Sequence, residues 1–196
     1  MLATQFYQML AIIFPMIYLI IVGNKLIADR IDRGDMAYIL STPTRRNQVT
    51  LTQALYLFGS LVVMFGLFAG VGLATASMFQ PGVLVVKSFL LLDLGAFLLA
   101  FAISGITFAS SCTFNLSKNS LAFGAGLPLT FFVCNLVAKM GDNLKVFKYF
   151  TLQTLFNTDN ILAGSGYVLQ FVILALIGVG LYVLGMIVFR KKDLPL

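Results

Sequence analysis

The chain has 196 residues, of which 60% are hydrophobic and 10% charged, and its formal net charge is +6. Soluble domains are about 45–50% apolar and about 25% charged, so these charges are too few to cover a soluble globule. His and Glu are absent, which excludes histidine acid–base catalysis, the Ser-His-Asp triad and His/Cys zinc sites. We therefore expect a membrane protein that is not an enzyme, binds no cofactor or metal, and contacts lipid rather than nucleic acid.

Runs of roughly 20 apolar residues recur along the chain, and each is long enough to cross a hydrocarbon core about 30 Å thick. They predict an all-α membrane protein, a bundle of about five transmembrane helices that forms one domain over residues 1–196. The expected spans are residues 5–23, 53–78, 84–112, 119–138 and 167–189. Pro15 is expected to kink the first span.

The connection after the first span, residues 24–51, is longer than a turn requires. Its spacing predicts an amphipathic helix with apolar residues on one face and charged residues on another. The apolar face holds Leu26, Ile27 and Ile31, and the charged face holds Asp29, Arg30 and Arg33. Thr42 as N-cap and Pro43 at the first helical position then predict a break and a second helix.

Basic residues divide unevenly between the two sides of the predicted bundle. Nine fall on the side of residues 24–51, the loop at Lys118 and the C-terminal tail, whereas four fall on the other side. The positive-inside rule makes the first side cytoplasmic, with the N-terminus outside and the C-terminus inside. Residues 139–166 then form an extracellular segment, whose mixture of Lys and aromatic residues predicts short helices at or dipping into the outer interface.

The segment NKLIADRIDRGDMAYILSTPTRRNQVTLTQALY resembles the first cytoplasmic loop of permease subunits of type-2 ABC transporters. The positions that match the loop of that family are Asp32, Gly34, Met36, Ile39, Leu40, Ser41, Pro43 and Arg46. The ending FRKKDLPL resembles the usual C-terminus of the family. One departure is Arg30, which stands where the family often has Glu.

This resemblance implies two kinds of protein partner. Such permeases pair with a second permease copy, identical or different, and with ATP-binding subunits that hold ATP and Mg. The loop would then be the cytoplasmic coupling helix that ATPase closure pushes on. The chain has no G-x-x-x-x-G-K-[ST] motif, so ATP hydrolysis is expected on a separate subunit. The residues expected to contact that subunit are Asp29, Asp32, Arg33, Gly34, Met36, Pro43, Arg45 and Arg46.

The number of spans differs from the family pattern. The family usually has six spans with both termini cytoplasmic, and its loop follows the second span. Here the loop follows the first span, which implies one N-terminal helix fewer. A fragment, a split gene, a misassigned start and a short form all agree with this difference.

Three polar residues within or beside spans are candidates for a translocation pathway. A charge at the bilayer centre costs on the order of 3 kcal/mol or more, so Asp93 would face a cavity or a partner there. Alternatively, Asp93 lies near the outer headgroups, because Lys87 is only about 9 Å away along a helix. Asn119 and Asn135 could line a path or form hydrogen bonds between helices.

Small residues recur at helical spacing, and they allow membrane helices to approach closely. The pairs are Gly66/Gly70, Ala69/Gly72, Gly105/Ala109 and Gly178/Gly185. They indicate either packing inside one bundle or contact between two permease copies.

Taken with the resemblance, these features predict the membrane subunit of an ATP-driven ABC exporter in the inner membrane of a prokaryote. It would form the pathway for an amphipathic or hydrophobic substrate, such as a peptide antibiotic, a drug or a lipid. The alternative is a non-transporting membrane anchor or regulatory protein that recruits a soluble partner.

The charge distribution can be tested by labelling. Single cysteines introduced at Asn47 and at Asn143 should react with a membrane-impermeant thiol reagent from opposite sides of the membrane. Labelling of both positions from outside the cell would rule out the five-span topology.

Overall fold

A computed structural model describes residues 2–36, 46–79, 86–138, 151–156, 158–163 and 166–192. The regular structure of these residues is entirely helical. The α-helices are α1 (Leu2–Leu26), α2 (Ala28–Asp32), α3 (Arg46–Phe79), α4 (Val86–Thr113), α5 (Ser117–Ala138), α6 (Thr158–Ala163) and α7 (Tyr167–Lys191). A short 3-10 helix, Leu152–Leu155, precedes α6. Among the described residues, five helices are long and apolar enough to cross a membrane, which confirms the predicted fold class at that level.

The third helix, α3, begins at Arg46, seven residues before the start predicted for its span. Its first turns contain polar residues that a hydropathy pattern assigns to the loop. Their hydroxyls are satisfied within the helix, since Thr50 Oγ1 donates to the Arg46 carbonyl at 3.2 Å and Thr52 Oγ1 to the Gln48 carbonyl at 2.8 Å. Part of the segment 24–51 is therefore a continuous helical extension of the second span.

The centre of the bundle is occupied by α4. In its most apolar stretch 67% of the residues are buried, against 11% in α5 and 17% in α3. It packs most extensively on α7 and also contacts α1, α5 and α3. Its central position keeps polar side chains such as Asp93, Ser104 and Thr107 buried.

Glycines allow α4 and α7 to approach closely. A Cβ atom added at Gly178 would lie 2.5 Å from the Phe101 ring, and one added at Gly105 would lie 3.1 Å from the Gly178 carbonyl oxygen. Gly185 meets the Phe108 ring at 3.0 Å in the same way. The pairs Gly105/Ala109 and Gly178/Gly185 therefore serve packing inside one bundle, the first of the two alternatives.

A buried hydrogen bond joins the same two helices. The hydroxyls of Ser104 and Tyr182 are 2.8 Å apart, and the Ser104 hydroxyl also donates to the Phe101 carbonyl. The Tyr182 ring lies between two aromatic rings, with centroid distances of 5.4 Å to Phe101 and 4.9 Å to Phe108. The ring contacts and the hydrogen bond of Tyr182 thus stabilise the α4–α7 interface at the same position along the two helices.

Gly66 and Gly70 behave differently from the glycines of α4 and α7. No described residue lies within 4 Å of a Cβ added at either position, so this part of α3 faces outward. Gly72 instead packs on the Phe89 ring of α4. For the pair Gly66/Gly70, contact with a second permease copy stays a prediction.

The contrast between buried and outward glycines gives a stability test. Gly178→Ala should lower the thermal unfolding midpoint in detergent, because overpacking costs about 1–3 kcal/mol and exceeds the helix-propensity gain of about 1 kcal/mol. The control Gly66→Ala should leave the midpoint unchanged or raise it, because its methyl group meets no described residue. An equal response of both variants would contradict the close α4–α7 contact.

Candidate functional site

A non-helical residue, Ile27, separates α2 from the end of α1. Ile27 has φ −129° and ψ −61°, which interrupts the helix between Leu26 and Ala28. The first N–H groups of a helix lack acceptors within it. The Ala28 N–H finds one on α4, where it donates to the Ser111 hydroxyl at 2.9 Å.

The apolar and charged residues in and beside α2 differ in burial, in the direction that the spacing predicted. Leu26, Ile27 and Ile31 are buried against the bundle. On the opposite face, the Arg33 guanidinium pairs with the Asp29 carboxylate at 3.1 Å, and the Arg33 side chain is 68% exposed. Such a surface pair one helical turn apart stabilises a helix by only about 0.3–0.5 kcal/mol. The Arg33 side chain is therefore open to contact, whereas the Asp29 side chain is only 23% exposed.

The predicted helix continues beyond Asp32, whereas α2 ends there. The reason is Gly34, which adopts a left-handed conformation with φ +79°. Its N–H donates to the Ile31 carbonyl at 3.0 Å, a common way to close a helix C-terminus. Gly34 thus forms a bend in the backbone, and its surface is open, with no described residue within 4 Å of an added Cβ.

Two of the residues expected to contact a partner are engaged inside the protein. Met36 is buried, with 1% of its surface exposed, so its side chain anchors the segment after the turn. Arg46 donates from Nη1 to the Lys192 carbonyl at 2.8 Å, which joins the start of α3 to the end of α7. Pro43 and Arg45 lie outside the described residues.

Asp32 also has a partner within the chain. Its Oδ2 atom accepts a hydrogen bond from the N–H of Ser117, the first residue of α5, at 3.2 Å. Asn24 Nδ2 donates to the Ser117 hydroxyl at 2.6 Å, so α1 and α2 both bind the start of α5. Of the predicted docking residues within the described chain, Asp32, Arg33 and Gly34 are exposed, whereas Asp29 is half-buried.

The C-terminal basic cluster takes part in the same end of the bundle. Lys192 Nζ donates to the Cys112 carbonyl near the C-terminus of α4 at 3.1 Å. Burial lowers the pKa of Lys192 to about 8. A cation at this position interacts favourably with the helix dipole. Sequence reasoning assigned this cluster to topology and missed its contact with α4, for which the spacing offers no signal.

The three candidate pathway residues do not share one site. Asp93 is buried in α4, some 20 residues or about 30 Å from the turn to α5. Asn119 is exposed in the first turns of α5, close to that turn. Asn135 is half-buried toward the other end of α5, about 24 Å from Asn119.

The sequence analysis did not identify one buried polar residue, which lies in the 3-10 helix before α6. Gln153 in the 3-10 helix is 5% exposed, and neither atom of its amide has a hydrogen-bond partner among the described residues. The 3-10 helix packs on α4, α5 and α7, and the Phe156 ring after it meets Gly95 of α4. The described part of segment 139–166 is thus largely buried in the bundle. A single Gln among aromatic residues carries no signal for this burial.

Comparison of the chain with family models, with curated proteins and with solved structures finds no match. The candidate residues form a charged surface on α2 at one end of the bundle. A second feature is the buried Gln153 amide in the segment before α6.

The Gln153 amide generates a prediction about stability. Burying an amide without hydrogen bonds costs roughly 1–3 kcal/mol, so Gln153→Met should raise the thermal unfolding midpoint in detergent. Gln170→Met is the control, since that residue is half-buried and only its Oε1 atom is buried without a partner. It should raise the midpoint less. A lower midpoint for Gln153→Met would show that the amide is bonded.

Proposed function

We propose that the chain is the membrane subunit of an ATP-driven exporter, with ATP and Mg held by a separate ATP-binding subunit. The observation that carries the proposal is the charged surface of α2, which lies where the membrane-length helix α1 ends and α5 begins. Its position agrees with the resemblance of residues 24–56 to the first cytoplasmic loop of type-2 ABC transporter permeases. On this proposal, α2 is the coupling helix that receives the motion of the ATPase.

The proposed orientation places α2 in the cytoplasm of a prokaryotic cell, with the protein in its inner membrane. The ends of α1 and α7 and the starts of α3 and α5 lie together here, through the bonds Asp32–Ser117 and Arg46–Lys192. Exposed basic residues collect at this end, and the positive-inside rule assigns such an end to the cytoplasm. They include Lys25, Lys118, Arg190 and Lys191.

The proposed pathway runs between two copies of the chain. A route through the middle of one copy is disfavoured, because α4 fills the centre of the described bundle. The outward side of α3 carries Gly66 and Gly70, and a shallow groove of about 510 Å³ lies between α1 and α3. Walls of aliphatic and aromatic side chains suit an amphipathic or hydrophobic substrate.

The alternative function uses the same surface. A membrane anchor that recruits a soluble protein would also present a charged helix on a fixed base. The two functions differ in what the recruited protein does, since only the transporter requires nucleotide hydrolysis in its partner.

Charge inversion on α2 tests the proposal. The full-length chain should co-purify from its native membranes with a vanadate-sensitive ATPase. In Asp29→Arg/Arg33→Glu, the pair within α2 is kept while its outward charges are inverted, so the ATPase should be lost although the chain inserts normally. Arg190→Glu changes an exposed charge at the same end, off α2, and should retain the ATPase.

The outcomes test both the function and the docking surface. A bound soluble protein without nucleotide hydrolysis would support the anchor and overturn the exporter. Equal ATPase recovery from the double variant and from the wild type would mean that α2 is not the docking surface.

A further inference from the structure

At one end of the bundle, the first residues of α2 and α5 find hydrogen-bond acceptors on neighbouring helices. The N–H at the start of α2 donates to the Ser111 hydroxyl on α4, and the N–H at the start of α5 donates to the Asp32 carboxylate on α2. The Asn24 carbonyl just before α2 lies 3.5 Å from the same Ser111 hydroxyl. The first N–H groups of a helix have no acceptor within it, so each start depends on another helix.

The two contacts hold α2 at both ends. Ala28, which is bound to α4, is its first residue, and Asp32, which is bound to α5, is its last. The break at Ile27 separates α2 from the rigid axis of α1. A five-residue helix held at both ends beyond a break can tilt only if the contacts with α4 and α5 yield or move with it.

We infer that Asp32, although its side chain is exposed, is a positioning residue, which links the tilt of α2 to the start of α5 through its bond to Ser117, and that the partner does not bind it directly. The use of this link in transport rests on the function proposed above. The link itself is a property of the chain alone. It gives Asp32 a different role from Asp29, three residues earlier on the same short helix, whose carboxylate accepts a hydrogen bond from the Arg33 guanidinium.

The buried fractions of α4 and α5 predict which of the two helices moves when α2 is displaced. The most apolar stretch of α4 is 67% buried and is held on several sides, whereas that of α5 is 11% buried. A helix with few buried residues loses fewer contacts when it shifts. Motion that enters at Asp32 is therefore expected to displace the start of α5 relative to α4.

Hydrogen exchange on the purified full-length chain tests the link without a partner. Asp32→Ala should speed amide exchange in residues 117–124 by roughly 3- to 10-fold, the range expected for the loss of a helix cap. Asp29→Ala removes a carboxylate from the same helix and should leave those amides unchanged. If Asp32→Ala impairs folding, Asp32→Asn, which keeps one oxygen acceptor, should show the same change at smaller amplitude. Equal exchange in the Asp32 and Asp29 variants would overturn the inference.

A second measurement separates this inference from the proposed function. With the ATPase partner present, Asp32→Asn should retain the bound subunit, while substrate stimulates its hydrolysis less than in the wild type. Loss of the subunit from Asp32→Asn would place Asp32 at the partner surface and overturn its positioning role. If no ATPase binds the wild type, the proposed function fails. The hydrogen-exchange measurement still tests the link between Asp32 and the start of α5, because it needs no partner.

Discussion

The close approach of α4 and α7 is the contact on which the described bundle depends. In a bilayer, lipid tails are as apolar as leucine, so helices associate through van der Waals contact and hydrogen bonds rather than by hiding apolar surface. Gly178 and Gly105 bring the two backbones within contact distance, and the Ser104–Tyr182 bond is formed at the same level. With α7 held in this way, α4 becomes the axis on which α1, α3 and α5 pack.

Several polar contacts of the described chain lie at the ends of its helices, apart from the Ser104–Tyr182 bond. At one end, Asp32, Ser111 and Lys192 bind backbone groups at helix termini, where intrahelical partners are missing. In the segment before α6, Gln153 is buried without such a partner. The charged face of α2 is held in place by the Asp32 and Ser111 hydrogen bonds. Its proposed role as the coupling helix therefore depends on those two bonds.

The limits of sequence reasoning are visible in residues 24–51. The spacing correctly predicted that Leu26, Ile27 and Ile31 are buried and that Arg33 is exposed, because burial of one face follows directly from helical periodicity. The end of the helix at Gly34 and the early start of α3 at Arg46 were not predicted. Both depend on backbone conformation and on hydrogen bonds within the helix, which the hydropathy pattern does not record.

Length and hydropathy, which are local properties, determined by themselves that the chain has five membrane-length helices and that α2 has an apolar and a charged face. Only the tertiary structure decided which of two similar glycines, Gly178 or Gly66, packs inside the bundle. It also decided that Asp32 meets Ser117, 85 positions along the chain. The reason is that such contacts depend on how each helix is rotated and placed against its neighbours, and residue spacing within one helix carries no information about that placement.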